Sequence, residues 1–263
     1  MPVPLPKRIT GPKLKAFEGD IESVQFEELL GSDDEQSSGE VRHGLVFKVS
    51  IEGKTFALKI FNFFSLGEIW PDTFGRDHLL TENVVRHQLD PFYAECRAFG
   101  LLVEKNKDDE LAVRCHGYVF LSKAIEHQIE RQFGIRGWNR KADDEGSQLR
   151  AIVKDYIRWK TLCHRTTFAV MRERLQKMNK LGVYNMDIRE DNYLGGRLFD
   201  FSIAITFPHI SLWPRLCSAE EIIDDQEDDI ACFDSMVKRV TEESEQRRPV
   251  TRSQSSKVLE AGI

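Results

Sequence analysis

From Val24 the chain takes on a strand-like apolar pattern, which residues 31–40 (GSDDEQSSGE) interrupt with a polar, acidic loop. Residues 43–60 then predict two strands around Glu52-Gly53, a two-residue hairpin signal. In the second strand Phe56, Leu58 and Ile60 share one face, while Thr55, Ala57, Lys59 and Phe61 share the other. Both faces are largely apolar, so the strand is expected in the interior of a sheet, where Lys59 is an oddity. Asp90-Pro91 predicts a helix start, with aspartate as cap and proline in the first turn. Phe92, Cys96, Phe99 and Val103 follow at helical spacing, and Glu95 lies within their apolar stripe. Residues 111–121 and 151–157 (AIVKDYI) predict two further strands, separated by a polar, glycine-containing insertion near 128–148. Phe168, Met171, Leu175 and Met178 line one face of a helix that Gly182 closes. An acidic cluster (Asp224, Asp225, Glu227, Asp228, Asp229) is expected to precede a last helix running through Val240.

Composition sets the outer limits. A chain of 263 residues, 41% hydrophobic and 10% aromatic, can bury a core. Residues 1–20, with Pro2, Pro4, Pro6 and Pro12, have no periodicity and predict a flexible leader; residues 246–263 predict a disordered, basic tail. The net charge of −6 gives no field to attract phosphate backbones, which disfavours general nucleic-acid binding. The best apolar run, near residues 56–64, is interrupted by Lys59, so no membrane span is expected. The first fifteen residues carry proline, lysine and arginine without an apolar core, which points to an intracellular location, cytoplasmic or nuclear. Five cysteines form no C-x-x-C pair. In Cys115-His116 and Cys163-His164 neighbouring side chains on a strand face opposite ways, which argues against a metal site.

The chemistry concentrates in residues 185–202 (NMDIREDNYLGGRLFDFS). Gly195-Gly196 supplies a tight hairpin that returns the chain, so Asp200 is expected near Asp187 and Asn192. Three hard oxygen ligands at one hairpin base suit Mg²⁺, which is held by one or two carboxylates together with substrate phosphates. Taken alone, the D-x₄-N spacing reads better as two turn caps than as a metal site. Lys59 and Glu95 add to it. Each is a charge in an apolar setting, and an unpaired buried charge costs several kcal/mol, so pairing them is the economical arrangement.

These pieces together resemble a protein kinase. FALKI at residues 56–60 is similar to the V-A-I-K strand, and YAECRAF at 93–99 resembles helix C with its glutamate. Residues 151–157 resemble the strand that enters the hinge, 187–192 the D-x-x-x-x-N catalytic loop, and Asp200-Phe201-Ser202 the D-F-G element. The stretch NYLGGRLFDFS also resembles a group of fungal kinase-like proteins labelled as a kinetochore complex (Fta) subunit. The resemblance implies an α+β, two-lobed protein-kinase-like fold with a shortened C-terminal lobe. Its first lobe would span 21–157 and its second 158–245. It further implies ATP and Mg²⁺ as cofactors, with Lys59 on the α- and β-phosphates and Glu95 orienting it. Asp187 would take the catalytic-base position and Arg189 would touch the transferred phosphate. Asn192 and Asp200 would hold the metal, and Asp229 or Asp234 would anchor the loop from a later helix.

Departures from the pattern are equally specific. Asn185 and Met186 stand where kinases have His and Arg, Ser202 replaces the glycine of D-F-G, and residues 30–47 lack G-x-G-x-x-G. No A-P-E segment follows, so a peptide-substrate platform is not expected. Three functions fit: an Mg-ATP-binding phosphotransferase, a pseudokinase module with partners in a protein complex, and a structural domain whose motifs are accidental.

Overall fold

The computed structural model describes residues 4–7, 9–31, 43–67, 80–158 and 166–246. Residues 32–40 of the acidic loop, the Cys163-His164 pair and the basic tail past residue 246 lie outside them. The fold is α+β. Strands β1 (Gln25–Leu30), β2 (Gly44–Ile51), β3 (Lys54–Phe61), β4 (Cys115–Leu121) and β5 (Leu149–Asp155) form one antiparallel sheet in the order β1-β2-β3-β5-β4. The β2–β3 turn at Glu52 and Gly53 has φ of 50° and 76°, the double left-handed geometry of a tight hairpin.

Both faces of the sheet are covered. Helix α2 (Pro91–Glu104) lies on one face; it follows α1 (Glu82–Leu89) and leads into the short α3 (Asp108–Leu111). The start of α2 is as the sequence predicts, with the Asp90 carboxylate accepting from the Phe92 amide at 3.0 Å. Helix α4 (Lys123–Phe133) covers the other face with Ile125 and Ile129, and Trp138 joins them. The insertion expected at 128–148 thus begins inside a helix that completes the core.

The helical half holds α5 (Phe168–Lys180) and α6 (Ala219–Gln246), with short ribbons β6 (Val183–Tyr184) to β9 (Ile205–Thr206) and β7 (Tyr193–Leu194) to β8 (Arg197–Leu198). Phe168, Met171, Leu175 and Met178 are all buried. The acidic cluster does not precede the last helix but occupies its first turns. No helix among the described residues is long and apolar enough to cross a membrane.

The leader differs from its expectation. Leu5, Ile9 and Leu14 are buried, and the backbone crosses α2 and β4, with the Leu14 amide donating to Cys96 O and the Phe17 amide to Tyr118 O. Two glycines make room. A Cβ on Gly100 would come within 2.5 Å of Leu14 N, and one on Gly117 within 2.5 Å of Phe17 N. An extended strap of this kind has no helical or strand period, so its apolar anchors are not visible as a pattern.

Candidate functional site: an ionic network between sheet and helices

Lys59 sits in the middle of β3, hydrogen-bonded between β2 and β5, and points towards α2. Glu95 lies in the second turn of α2 and is fully buried. The Lys59 ammonium donates to Glu95 Oε2 at 2.9 Å, to Asp200 Oδ1 at 2.7 Å and to Ser202 Oγ at 2.6 Å. An ammonium has three N–H donors, so these acceptors satisfy it completely. Burial works against the charge of Lys59, but Asp200 and Glu95 outweigh it and hold the pKa above the ordinary lysine value. The same pair acts on Asp200: burial favours its neutral form, yet Lys59 and Lys154 keep it far below the usual carboxylate range.

Lys154 of β5 is a member that sequence reading missed. It is buried, donates to Glu95 Oε1, and donates to Phe199 O at 2.7 Å. Glu95 therefore takes one lysine on each oxygen. The signal for Lys154 was the one used for Lys59, a lone cation in an apolar strand (AIVKDYI).

The loop after β6 supplies the second half of the site. Asp229 of α6 is fully buried and accepts from the Asn185 and Met186 amides, both at 2.8 Å. Of the two candidate anchors it is therefore Asp229 that holds the loop, while Asp234 makes a surface pair with Arg172. Met186 is held at φ 64°, a conformation a non-glycine residue keeps only when its surroundings fix it. Burial pushes the Asp229 pKa up to about 6, against the two amide hydrogen bonds.

Asn185 joins the loop to the network. Its Nδ2 donates to Asp200 O at 2.6 Å and its Oδ1 accepts from the Asp187 amide at 3.2 Å. Asn192 Nδ2 donates to Asp187 O and Oδ2, each at 2.8 Å, and Arg189 Nε lies 3.3 Å from the same Oδ2. The β7–β8 turn, with Gly195 and Gly196 at φ 58° and 69°, brings the chain back so that the Phe199 amide meets Asn192 O at 3.2 Å. Phe201 then packs edge-on against Phe99 behind α2, with ring centroids 5.0 Å apart. His43, at the entrance to β2, is close enough to feel Lys59, Asp200 and Asp187; burial and then Lys59 lower its pKa.

The structure thus brings Lys59, Glu95, Asp187, Arg189, Asn192 and Asp200 into one connected network. The residues suited to a cation are Asp187, Asn192 and Asp200, all hard oxygen donors. In their present contacts Asp200 Oδ1 is shared by Lys59 and the Ser202 amide, and the Asn192 amide is bound to Asp187. Among the described residues no group of three His, Cys, Asp or Glu side chains is arranged to hold a metal.

The profile of the family described as kinetochore Sim4 complex subunit FTA2 matches residues 1–205. That stretch includes every member of the network except Asp229. No curated protein matches the chain.

Proposed function

Because the chain belongs to the FTA2 family of kinetochore Sim4 complex subunits, we propose that it serves that complex as a pseudokinase-like interaction module rather than as a phosphotransferase. A kinetochore subunit works in the nucleus, which selects the nuclear branch of the expected location.

The observation that carries this reading is the saturation of Lys59. A phosphate-binding lysine must offer N–H donors to the nucleotide, and here all three are taken by Glu95, Asp200 and Ser202. The kinase-like part of the reading is supported by the sheet order, by a lysine–glutamate pair between an interior strand and the following helix, and by a loop-hairpin-aspartate unit beside it. In this reading the polar residues fix the position of α2 and of residues 185–202 relative to the sheet, so that a partner meets a defined surface.

Mg-nucleotide binding is the second reading, favoured by the convergence of Asp187, Asn192 and Asp200 beside Lys59. A thermal-shift titration with ATP, with and without Mg²⁺, separates the two. A ligand at about 100 times its Kd stabilises a fold by about 2.7 kcal/mol, which melting resolves easily. The interaction-module reading expects no Mg-ATP-dependent shift, and it expects Asp187→Asn to assemble normally with the other subunits. A clear shift together with loss of function in Asp187→Asn would transfer the conclusion to the nucleotide reading.

A further inference from the structure

Of the five large apolar side chains that stand exposed among the described residues, four fall in one stretch of chain: Ile203, Phe207, Trp213 and Ile223. Phe207 is 62% exposed and Trp213 45%. Each lies within two residues of a member of one small apolar cluster, built on Tyr184, Ile205 and Leu212 with Ile222 packed against it. The exposed four thus flank, along the chain, the residues that build that cluster. Apolar exposure concentrated in this way marks an interaction site more often than scattered single residues do.

The same place carries most of the chain's excess charge. Residues 219–229 (AEEIIDDQEDD) hold seven carboxylates and no lysine or arginine, against a net charge of −6 for the whole protein. Asp229 is turned inwards to the loop, which leaves Glu220, Glu221, Asp224, Asp225, Glu227 and Asp228 in the first turns of α6. Several of these are four apart, and like charges at that spacing destabilise a helix. Burial, followed by Asp228, Asp224 and Glu221, raises the pKa of Asp225. The two features are joined by a short turn: the Leu216 and Cys217 amides donate to Trp213 O at 2.8 and 2.9 Å. The Cys217 thiol in turn feels Glu221 and Asp225.

We propose that the exposed Phe207, Trp213 and Ile223, together with the acidic first turns of α6, dock a basic amphipathic segment of a partner protein. The apolar side chains would anchor it, and its lysines or arginines would neutralise the repelling carboxylates. The partner is identified by charge complementarity: an acidic or nucleic-acid partner would add to the repulsion, and the same surface of a second copy of this chain would bring the same acids against themselves. The surface lies past residue 205, where the family match ends, so family membership does not assign it. The proposal rests on the interaction-module reading but concerns different residues, so it fails or stands independently of the nucleotide titration.

The test uses the full chain and a labelled 18-residue helical peptide with leucine on one face and lysine on the other, followed by fluorescence anisotropy. A second peptide carries glutamate in place of lysine. Two double variants, Phe207→Ser with Trp213→Ser and Asp224→Asn with Glu227→Gln, change exposed side chains; their melting temperatures report whether the fold is kept. The expected result is binding of the lysine peptide only, weakened at least tenfold by each double variant. Binding lost in the charge variant but unchanged in the apolar one would reduce the effect to a diffuse acidic attraction and overturn the proposal. So would equal binding by all forms, no binding at all, or dimerisation of the wild type that the apolar variant abolishes.

Discussion

The two faces of the five-stranded sheet are equally buried and oppositely made. Towards α4, β2, β3 and β5 present Phe47, Val49, Leu58, Ile60, Ala151 and Val153, each fully excluded from solvent. Towards α2, the central strands present Lys59, Lys154 and Arg150, balanced by Glu95, Asp200 and Asp90. Apolar burial stabilises a fold in proportion to area, whatever the detailed geometry. Buried ion pairs roughly offset their own desolvation and add little net stability. The first face therefore holds by apolar contact alone, and the second adds to its own apolar core of Phe61, Ile152, Phe92 and Phe99 an ionic set that fixes where α2 and residues 185–202 stand. A protein that needed only stability would have no use for the second arrangement.

The sharpest way to break this comparison is Glu95→Ala. It leaves two buried ammonium groups without their shared carboxylate, and a cost of about 4–5 kcal/mol is expected in urea unfolding. Replacing the set together, as Lys59→Met, Lys154→Met, Glu95→Leu and Asp200→Asn, should recover at least half of that loss, because none of the four charges is then orphaned. A quadruple variant no better than Glu95→Ala would mean that the ions themselves stabilise the fold. On the other face Leu58→Ala should cost about 3 kcal/mol, through lost transfer energy and the cavity left behind. No second substitution on the polar face should repair it.

Much of the polar face was legible in the chain, because a charge in an apolar stripe demands a partner. Lys59 and Glu95 follow from that rule, and so does Lys154 in the apolar run of β5. The choice between Asp229 and Asp234 was harder, since both lie in an acid-rich helix. Helical spacing decides it: Asp229 shares the inward face with Phe233 and Met236, four and seven residues on, all three buried. The Gly195-Gly196 turn correctly announced the return of Asp200 to the loop. The leader was not legible because it anchors three separate side chains through extended backbone; only the crowding at Gly100 and Gly117 betrays it, and that needs coordinates.

Acid separates paired from unpaired buried charges. His209 is buried, its Nδ1 accepting from the Ser211 amide at 3.2 Å, and burial followed by Arg97 lowers its pKa to about 4. The folded value lies below the unfolded 6.5, so the unfolded state binds more protons between these limits. Stability associated with this group is complete above pH 6.5 and is lost as pH falls towards 4. Asp229 opposes it: its raised value means that stability is gained as pH falls through 6. Asp200, with its depressed value, keeps its contribution until the pH falls below 3.8. Unfolding free energies measured at pH 7 and pH 5 for wild type and His209→Gln isolate the histidine. The wild type should lose about 2 kcal/mol more than the variant over this interval. Equal slopes would show that His209 is protonated at no cost in the fold.

The smallest expected effect sharpens the comparison most, because it asks what the ionic face is for. Ser202→Ala removes only the hydroxyl that accepts the third hydrogen bond of Lys59, leaving Glu95 and Asp200 in place. A hydrogen bond to a charged group is worth about 1.5 kcal/mol, so unfolding stability should fall by about that amount. The freed N–H then lies beside Asp200 and would be available to a phosphate oxygen. If the network serves only to position α2 and the loop, the alanine variant melts lower and remains indifferent to Mg-ATP. If the serine instead blocks a working nucleotide site, the variant should gain a Mg-ATP-dependent stabilisation that the wild type lacks, and Asp200→Asn in the same background should remove it. Indifference to nucleotide in both forms supports a face built for positioning. Stabilisation by Mg-ATP in the variant alone would make Ser202 the single residue that keeps a nucleotide site closed.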